Sequence, residues 1–281
     1  METFESKSTD MRSKTANRRL REMPSPYATR WQGAKFLLAE MVKRDFKARY
    51  NRSMLGMFWC LLQPTLTMAL LYFVFSVFFR SSVPNFPLYL ISGIVMYQFF
   101  TESTSSAMLA IRANSGLVTK INIPMWIYPA TRAVSALVNF GFSLVPLFVV
   151  MVMTKTSVRF PAVFLPYGMA MLLFFNLGVG MMLSALVVFF HDIEFLWGFA
   201  CLVLMYATPV FYPDTLLSPS HQFMLYFNPL YHFIHFTRTI LIDGAVPPLR
   251  EFLACGLFAA LSMGAGISFF SKLKQHFIHH L

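Results

Sequence analysis

Few side chains in this sequence combine a reactive type with a chemically useful spacing, and the histidines come first. His276, His279 and His280 are spaced closely enough to suggest a metal site, yet no acidic or thiol side chain accompanies them. His232 and His235 lie in an aromatic-rich stretch, where hydrogen bonding or interface anchoring is the ordinary role. His191 and Asp192 imitate an acid–base pair, but adjacent side chains at a helix end do not face one another, and no nucleophile is near them in sequence. Cys60, Cys201 and Cys255 sit singly in apolar segments and read as small buried hydrophobes, not as a disulfide framework. No glycine loop ending in Gly-Lys-Ser or Gly-Lys-Thr occurs, so there is no backbone cradle for nucleotide phosphates. The expectation is a chain with no catalytic site, cofactor or metal of its own. If its work is driven by ATP, a separate subunit binds the ATP and Mg2+.

The elements that position these residues must face lipid. Of 281 residues, 57% are hydrophobic and 12% charged, against about 25% charged in an ordinary soluble domain. The formal charge of +11 does not point to nucleic acid, because 13 of the 23 Lys and Arg residues precede Met54 and no compact basic domain remains outside the apolar runs. The 32 phenylalanines suit either a greasy lipid face or an aromatic-lined path, and composition does not separate the two.

Periodicity then divides the chain. Residues 1–29, rich in Ser, Thr, Arg and Lys, read as a flexible basic cytoplasmic tail without a signal-peptide core, so insertion is expected to depend on the first spanning helix. Over 30–52, Leu38, Met41, Val42, Phe46 and Tyr50 recur every three or four residues, with Glu40, Lys43, Arg44 and Lys47 opposite them. That pattern predicts an amphipathic interface helix, fit for headgroups, for a partner domain, or for both. Residues 53–281 predict an all-α transmembrane domain of six spans, at about 57–79, 88–110, 125–153, 164–190, 195–212 and 249–270.

Several polar or breaking residues interrupt these spans. Gln63-Pro64 predicts a kink or break in the first. Glu102 in the second is too costly for a lipid face, so it must turn to the bundle interior or water, or carry a proton; a helix-to-helix hydrogen bond serves as well as transport chemistry. Arg132 in the third snorkels to the interface or pairs within the bundle. Gly178 and Gly180 permit close helix contacts in the fourth. Ile111 to Pro124 is long enough for a short interfacial helix, and the short apolar pieces Phe223–Phe227 and Leu230–Ile242 suit re-entrant or interfacial helices on the outer side. With both termini on one side, that side collects 17 basic residues against five on the other, which orients both termini toward the cytoplasm and leaves no room for an extracellular enzyme domain.

Further marks carry a family resemblance. They are the run Lys43-Arg44-Asp45-Phe46-Lys47-Ala48-Arg49-Tyr50, continuing through Ser53, Leu55, Gly56, Phe58, Trp59, Leu62, Gln63 and Pro64; then Asn114, Leu117, Val118, Lys120 and Pro124; then His191-Asp192; then Thr-Pro-Val-Phe-Tyr-Pro at 208–213, Asn228-Pro229 and Arg238. Together they make the chain resemble the membrane permeases of ABC exporters for lipid-linked polysaccharides, such as O-antigen, capsule and teichoic-acid exporters. His191 departs from the Arg-Asp often found before the fifth span in that family.

The resemblance implies a homodimer with two ABC ATPase subunits, in a cell inner membrane, moving an undecaprenyl-linked polysaccharide. Asn114, Leu117, Lys120 and Ile123 would belong to a coupling helix that docks on the ATPase. Arg44, Lys47, Arg49 and Arg52 would attract the lipid pyrophosphate or anchor on headgroups. The first and fifth spans would line a channel in which flat aromatic faces let sugars slide, with Phe58, Trp59, Gln63, Tyr72, Phe199, Tyr206, Phe211 and Tyr212 as candidates. A small-molecule efflux permease and a membrane scaffold for glycan assembly are the other classes in view.

Overall fold

The computed structural model describes residues 26–50, 58–79, 83, 85–118, 124–157, 159–216 and 223–279, and every regular element among them is helical. In chain order these are α1 (Pro26–Tyr50), α2 (Phe58–Phe79), α3 (Phe86–Met108), α4 (Ser115–Val118), α5 (Ile127–Met153), α6 (Leu165–Phe189), α7 (Ile193–Ala207), α8 (Pro229–Leu241) and α9 (Leu249–Leu273). The chain divides at Met41/Val42, within α1, and the helical bundle belongs to the second unit.

Three described stretches are long and apolar enough to cross a membrane: Ile127–Met153, Phe160–Phe189 and Leu249–Phe277. Leu61–Ser76 and Ile193–Ala207 are shorter apolar helices. The chain is therefore an all-α, multi-span membrane protein. At ~1.5 Å per residue, the 27 residues of α5 run about 40 Å, more than the ~30 Å hydrocarbon layer.

α3 forms the middle of the core. Leu88, Leu90, Ile91 and Val95 are wholly buried, and α2, α5, α6, α7 and α8 all pack on this helix. Outward faces are apolar instead of polar, as a bilayer requires. On α9 they form a stripe at every fourth position: Leu249, Leu253, Leu257 and Leu261 are all exposed.

Local chemistry sets the helix ends. Asn85 takes a left-handed conformation (φ 56°) before α3, a geometry asparagine tolerates better than most residues. Asn228 caps α8 by accepting from the Leu230 N–H at 3.0 Å, and Pro229 occupies the first turn, where no backbone donor is needed. One expectation is narrowed here and one bound is corrected. Of the kink or break expected at Gln63-Pro64, the break does not occur: α2 runs through Pro64, and the hydroxyls of Thr65 and Thr67 bond back to the Leu61 and Gln63 carbonyls at 2.6 and 2.8 Å beside it. The fifth apolar helix ends at Ala207 instead of 212, because Thr208 precedes Pro209 and is forced into an extended conformation (φ −103°, ψ 134°). α8, with 13 residues, spans only about 20 Å and is too short to cross.

Candidate functional site

Where α7 breaks, backbone carbonyls lose their helical partners in a buried setting, and one side chain collects them. Arg238 of α8, 7% exposed, donates from Nη1 to the Pro209 carbonyl at 2.6 Å and from Nη2 to those of Val210 and Tyr89 at 2.7 and 3.1 Å. Its guanidinium carbon lies 3.4 Å from the centre of the Tyr89 ring. Burial lowers the Arg238 pKa to about 10, so the charge persists at neutral pH and is spread over three carbonyl dipoles and a π face. Tyr89 in turn donates to the Tyr212 carbonyl at 2.8 Å, Tyr212 to the Tyr206 carbonyl at 2.7 Å, and Asn228 Nδ2 to Thr208 Oγ1 at 2.8 Å. The segment 208–213, Asn228 and Arg238, separate marks in the sequence, thus form one clamp on the end of α7.

His232 ties α8 to α9. Its Nδ1 lies 2.8 Å from Glu251 Oε2 and its Nε2 lies 3.0 Å from the Tyr226 carbonyl. Both neighbours are acceptors, so the arrangement uses a ring protonated at both nitrogens beside a carboxylate.

The opposite end of the bundle carries a second polar cluster. Arg44 Nη2 donates to Asn114 Oδ1 at 3.1 Å and lies 3.4 Å from Asp45 Oδ1. Asn114 is fixed by donating from Nδ2 to the Ala110 carbonyl at 2.8 Å. Asp45 Oδ2 meets Arg132 Nη1 at 3.2 Å, a charge contact without hydrogen-bond alignment. Phe46 meets Phe142 with ring centres 6.1 Å apart, and Arg112 approaches Glu194 at 3.6 Å. The second half of α1, the 112–118 segment and α5 are thereby joined by charge as well as packing. Arg132 pairs within the bundle, one of its two expected roles. Glu102 accepts from Asn139 Nδ2 at 2.6 Å, the helix-to-helix bond that was one reading of it.

Of the channel candidates, Phe58, Trp59, Gln63, Phe199 and Tyr206 are exposed; Tyr72 and Tyr212 are half-buried. Phe211 is buried against Phe75, Tyr206 and Tyr212, so it supports an exposed face without forming it. Lys47 is exposed, and Arg44 is partly committed to Asn114. Leu117 lies in α4, but its side chain and those of Arg49, Arg52, Lys120 and Ile123 fall outside the described residues. His191 and Asp192 form an exposed turn, and among the described residues no three His, Cys, Asp or Glu side chains are placed to hold a metal ion.

Residues 37–242 match the family described as ABC-2 type transporter. The chain belongs to that family. This ABC-2 type permease is 30% identical over 249 residues to the O-antigen export system permease protein RfbA of Myxococcus xanthus, covering 86% of this chain and 94% of the relative. It is 26% identical to the protein of the same name in Klebsiella pneumoniae, covering 86% and 93%. It is 18% identical to the polysialic acid transport protein KpsM of Escherichia coli, covering 83% and 91%.

Sequence reasoning about the permease gave Asp45 no role, although it lies inside the basic run; an acid amid four cations was the available signal. Arg132→Ala is expected to lower stability by about 1–3 kcal/mol, read as an earlier thermal unfolding of the purified protein. The swap Asp45→Arg with Arg132→Asp should recover most of the loss. A double variant as weak as the sum of its singles would mean that the pair does not join α1 to α5.

Proposed function

We propose that this chain is the channel-forming permease of an ATP-driven exporter that carries an undecaprenyl-linked polysaccharide of O-antigen type out of the cytoplasm across the inner membrane. The observation that carries the reading is the match to O-antigen export permeases along nearly the whole of both chains. Physical features of the chain support it. α2, α3, α5, α6, α7 and α9 supply the six crossings, with residues 1–29 as a tail and α1 at the interface. α8 acts as an outer re-entrant helix. The excess of basic residues at the N-terminal side places both termini in the cytoplasm.

Two copies pair so that the exposed faces of α2 (Phe58, Trp59, Gln63) and α7 (Phe199, Tyr206) enclose a common path. Flat aromatic walls contact sugar rings without fixing their rotation, so successive units slide. The Asn114–Ile123 segment docks on an ABC ATPase subunit, and the Arg44–Asn114 and Asp45–Arg132 contacts pass its movement to α1 and α5. Lys47 and its basic neighbours attract the lipid pyrophosphate.

A capsular polymer is the neighbouring reading, favoured by the 18% identical polysialic acid transport protein. The test is a strain lacking this chain. Lipid-linked glycan should accumulate at the cytoplasmic leaflet and vanish from the surface, and the identity of the retained polymer decides between O-antigen and capsule. Normal surface polymer with no retained intermediate would overturn the proposal.

A further inference from the structure

Behind the clamp on α7 lies a cavity of about 220 Å³, at the end of the bundle that carries Val83. Its wall includes Tyr89, Asp214, Tyr231, His235, Arg238 and Asp243. None of these belongs to the exposed aromatic faces of α2 and α7. At ~30 Å³ per water molecule, the volume equals about seven waters, which suits one six-membered ring with its substituents and is too small for two.

The wall selects the chemistry of an occupant. Asp214 and Asp243 oppose an anion, and the one guanidinium already donates to the Pro209, Val210 and Tyr89 carbonyls. A bound metal ion is not favoured, since no group of three ligating side chains is assembled among the described residues. What remains is a wall of acceptors, hydroxyls and rings. Tyr231 donates to Asp214 Oδ2 at 3.2 Å, which holds the carboxylate as an acceptor for neighbouring hydroxyls. The Tyr231 and His235 rings lie 5.4 Å apart at 34°, a surface for an apolar C–H face. Val83, Pro213 and Ile242 complete the apolar part. His235 Nδ1 is buried without a hydrogen-bond partner. Burial makes that state costly, and a small turn of the ring toward a ligand hydroxyl would relieve it.

We infer that this cavity binds a single neutral pyranose unit, at a site separate from the channel face. That the sugar is a unit of the exported glycan rests on the export reading above. Tyr89 and Arg238 line the cavity and also hold the end of α7, so an occupied cavity and the position of that helix end share two side chains.

Saturation-transfer difference NMR tests the site, with the full chain in lipid nanodiscs free of glycolipid and methyl glycosides of glucose, galactose, mannose and rhamnose as probes. At least one probe should receive saturation, and Asp214→Asn should weaken its binding by about tenfold. Tyr231→Phe, which removes one oxygen, should weaken it in the same direction and keeps the test available if Asp214→Asn misfolds. Trp59→Ala, on the α2 face, should leave it unchanged. No saturation of any probe by the unaltered chain, or a signal lost with Trp59→Ala and kept in both cavity variants, overturns the inference. Neither result touches the export reading, which stands or falls on retained lipid-linked glycan in cells lacking the chain.

Discussion

Arg238→Met is expected to unfold the loop end of the bundle and to abolish export. The substitution keeps much of the side chain's length but strips the buried Val210 carbonyl of its donor and leaves that of Pro209 with only the Tyr89 hydroxyl at 3.4 Å, while the Tyr89 carbonyl keeps Ser92 Oγ at 3.0 Å. An unpaired buried acceptor costs about 1–3 kcal/mol, so the loss should be on the order of 4 kcal/mol, a large share of a typical domain's stability of ~5–15 kcal/mol. Arg238→Lys should restore less than half of it. An ammonium is a point charge, whereas the fork of a guanidinium reaches separate acceptors and lies flat on Tyr89.

Gly93→Ala should reproduce a milder form of the same defect. A Cβ there would stand 2.6 Å from Arg238 Nη2 and 2.7 Å from the Val210 carbonyl, which pushes the two apart. Thermal unfolding in detergent and surface polymer in cells are the readouts. An Arg238→Met protein that melts with the unaltered chain would show the clamp to be incidental to stability.

The clamp also marks how far the sequence could be read. Helix positions were legible because runs of hydrocarbon length leave little choice, and the predicted bounds 125–153, 164–190 and 249–270 fall within a few residues of α5, α6 and α9. The start of α8 was legible from Asn228-Pro229, whose cap is local chemistry. Helix rotation was not. α2 and α7 are apolar on all sides, so their periodicity carries no record of which face turns inward. The eight channel candidates accordingly divide between exposed Phe58 and Phe199 and buried Phe211. Long-range polar pairs were illegible for a different reason. Asp45 and Arg132 each had several partners in reach of a plausible bundle, and only the packing of α1 on α5 selects this one. The resemblance marked 208–213, Asn228 and Arg238 without stating that they meet.

The small residues of α6 lead to the second large effect, a folding failure in Gly178→Leu. Between helices in lipid there is little hydrophobic drive, so their association rests on close packing and hydrogen bonds. α6 and α9 approach until backbone meets backbone: a Cβ on Gly178 would overlap the Ser262 main chain, and one on Gly266 would overlap the Gly178 carbonyl. Ser262 Oγ then donates to the Phe175 carbonyl at 2.8 Å across the same contact. Neither obstacle is a flexible side-chain tip, so the helices must separate along their length to admit a methyl group. Gly178→Ala should cost about 1–3 kcal/mol, and Gly178→Leu should leave no folded protein after solubilisation. Gly264, also on α9, provides the contrast, because nothing lies within 4 Å of a Cβ there. Gly264→Ala should be neutral or stabilise by up to ~1 kcal/mol through helix propensity alone. Equal shifts in melting temperature for Gly178→Ala and Gly264→Ala would mean that the close approach of α6 and α9 does not hold them together.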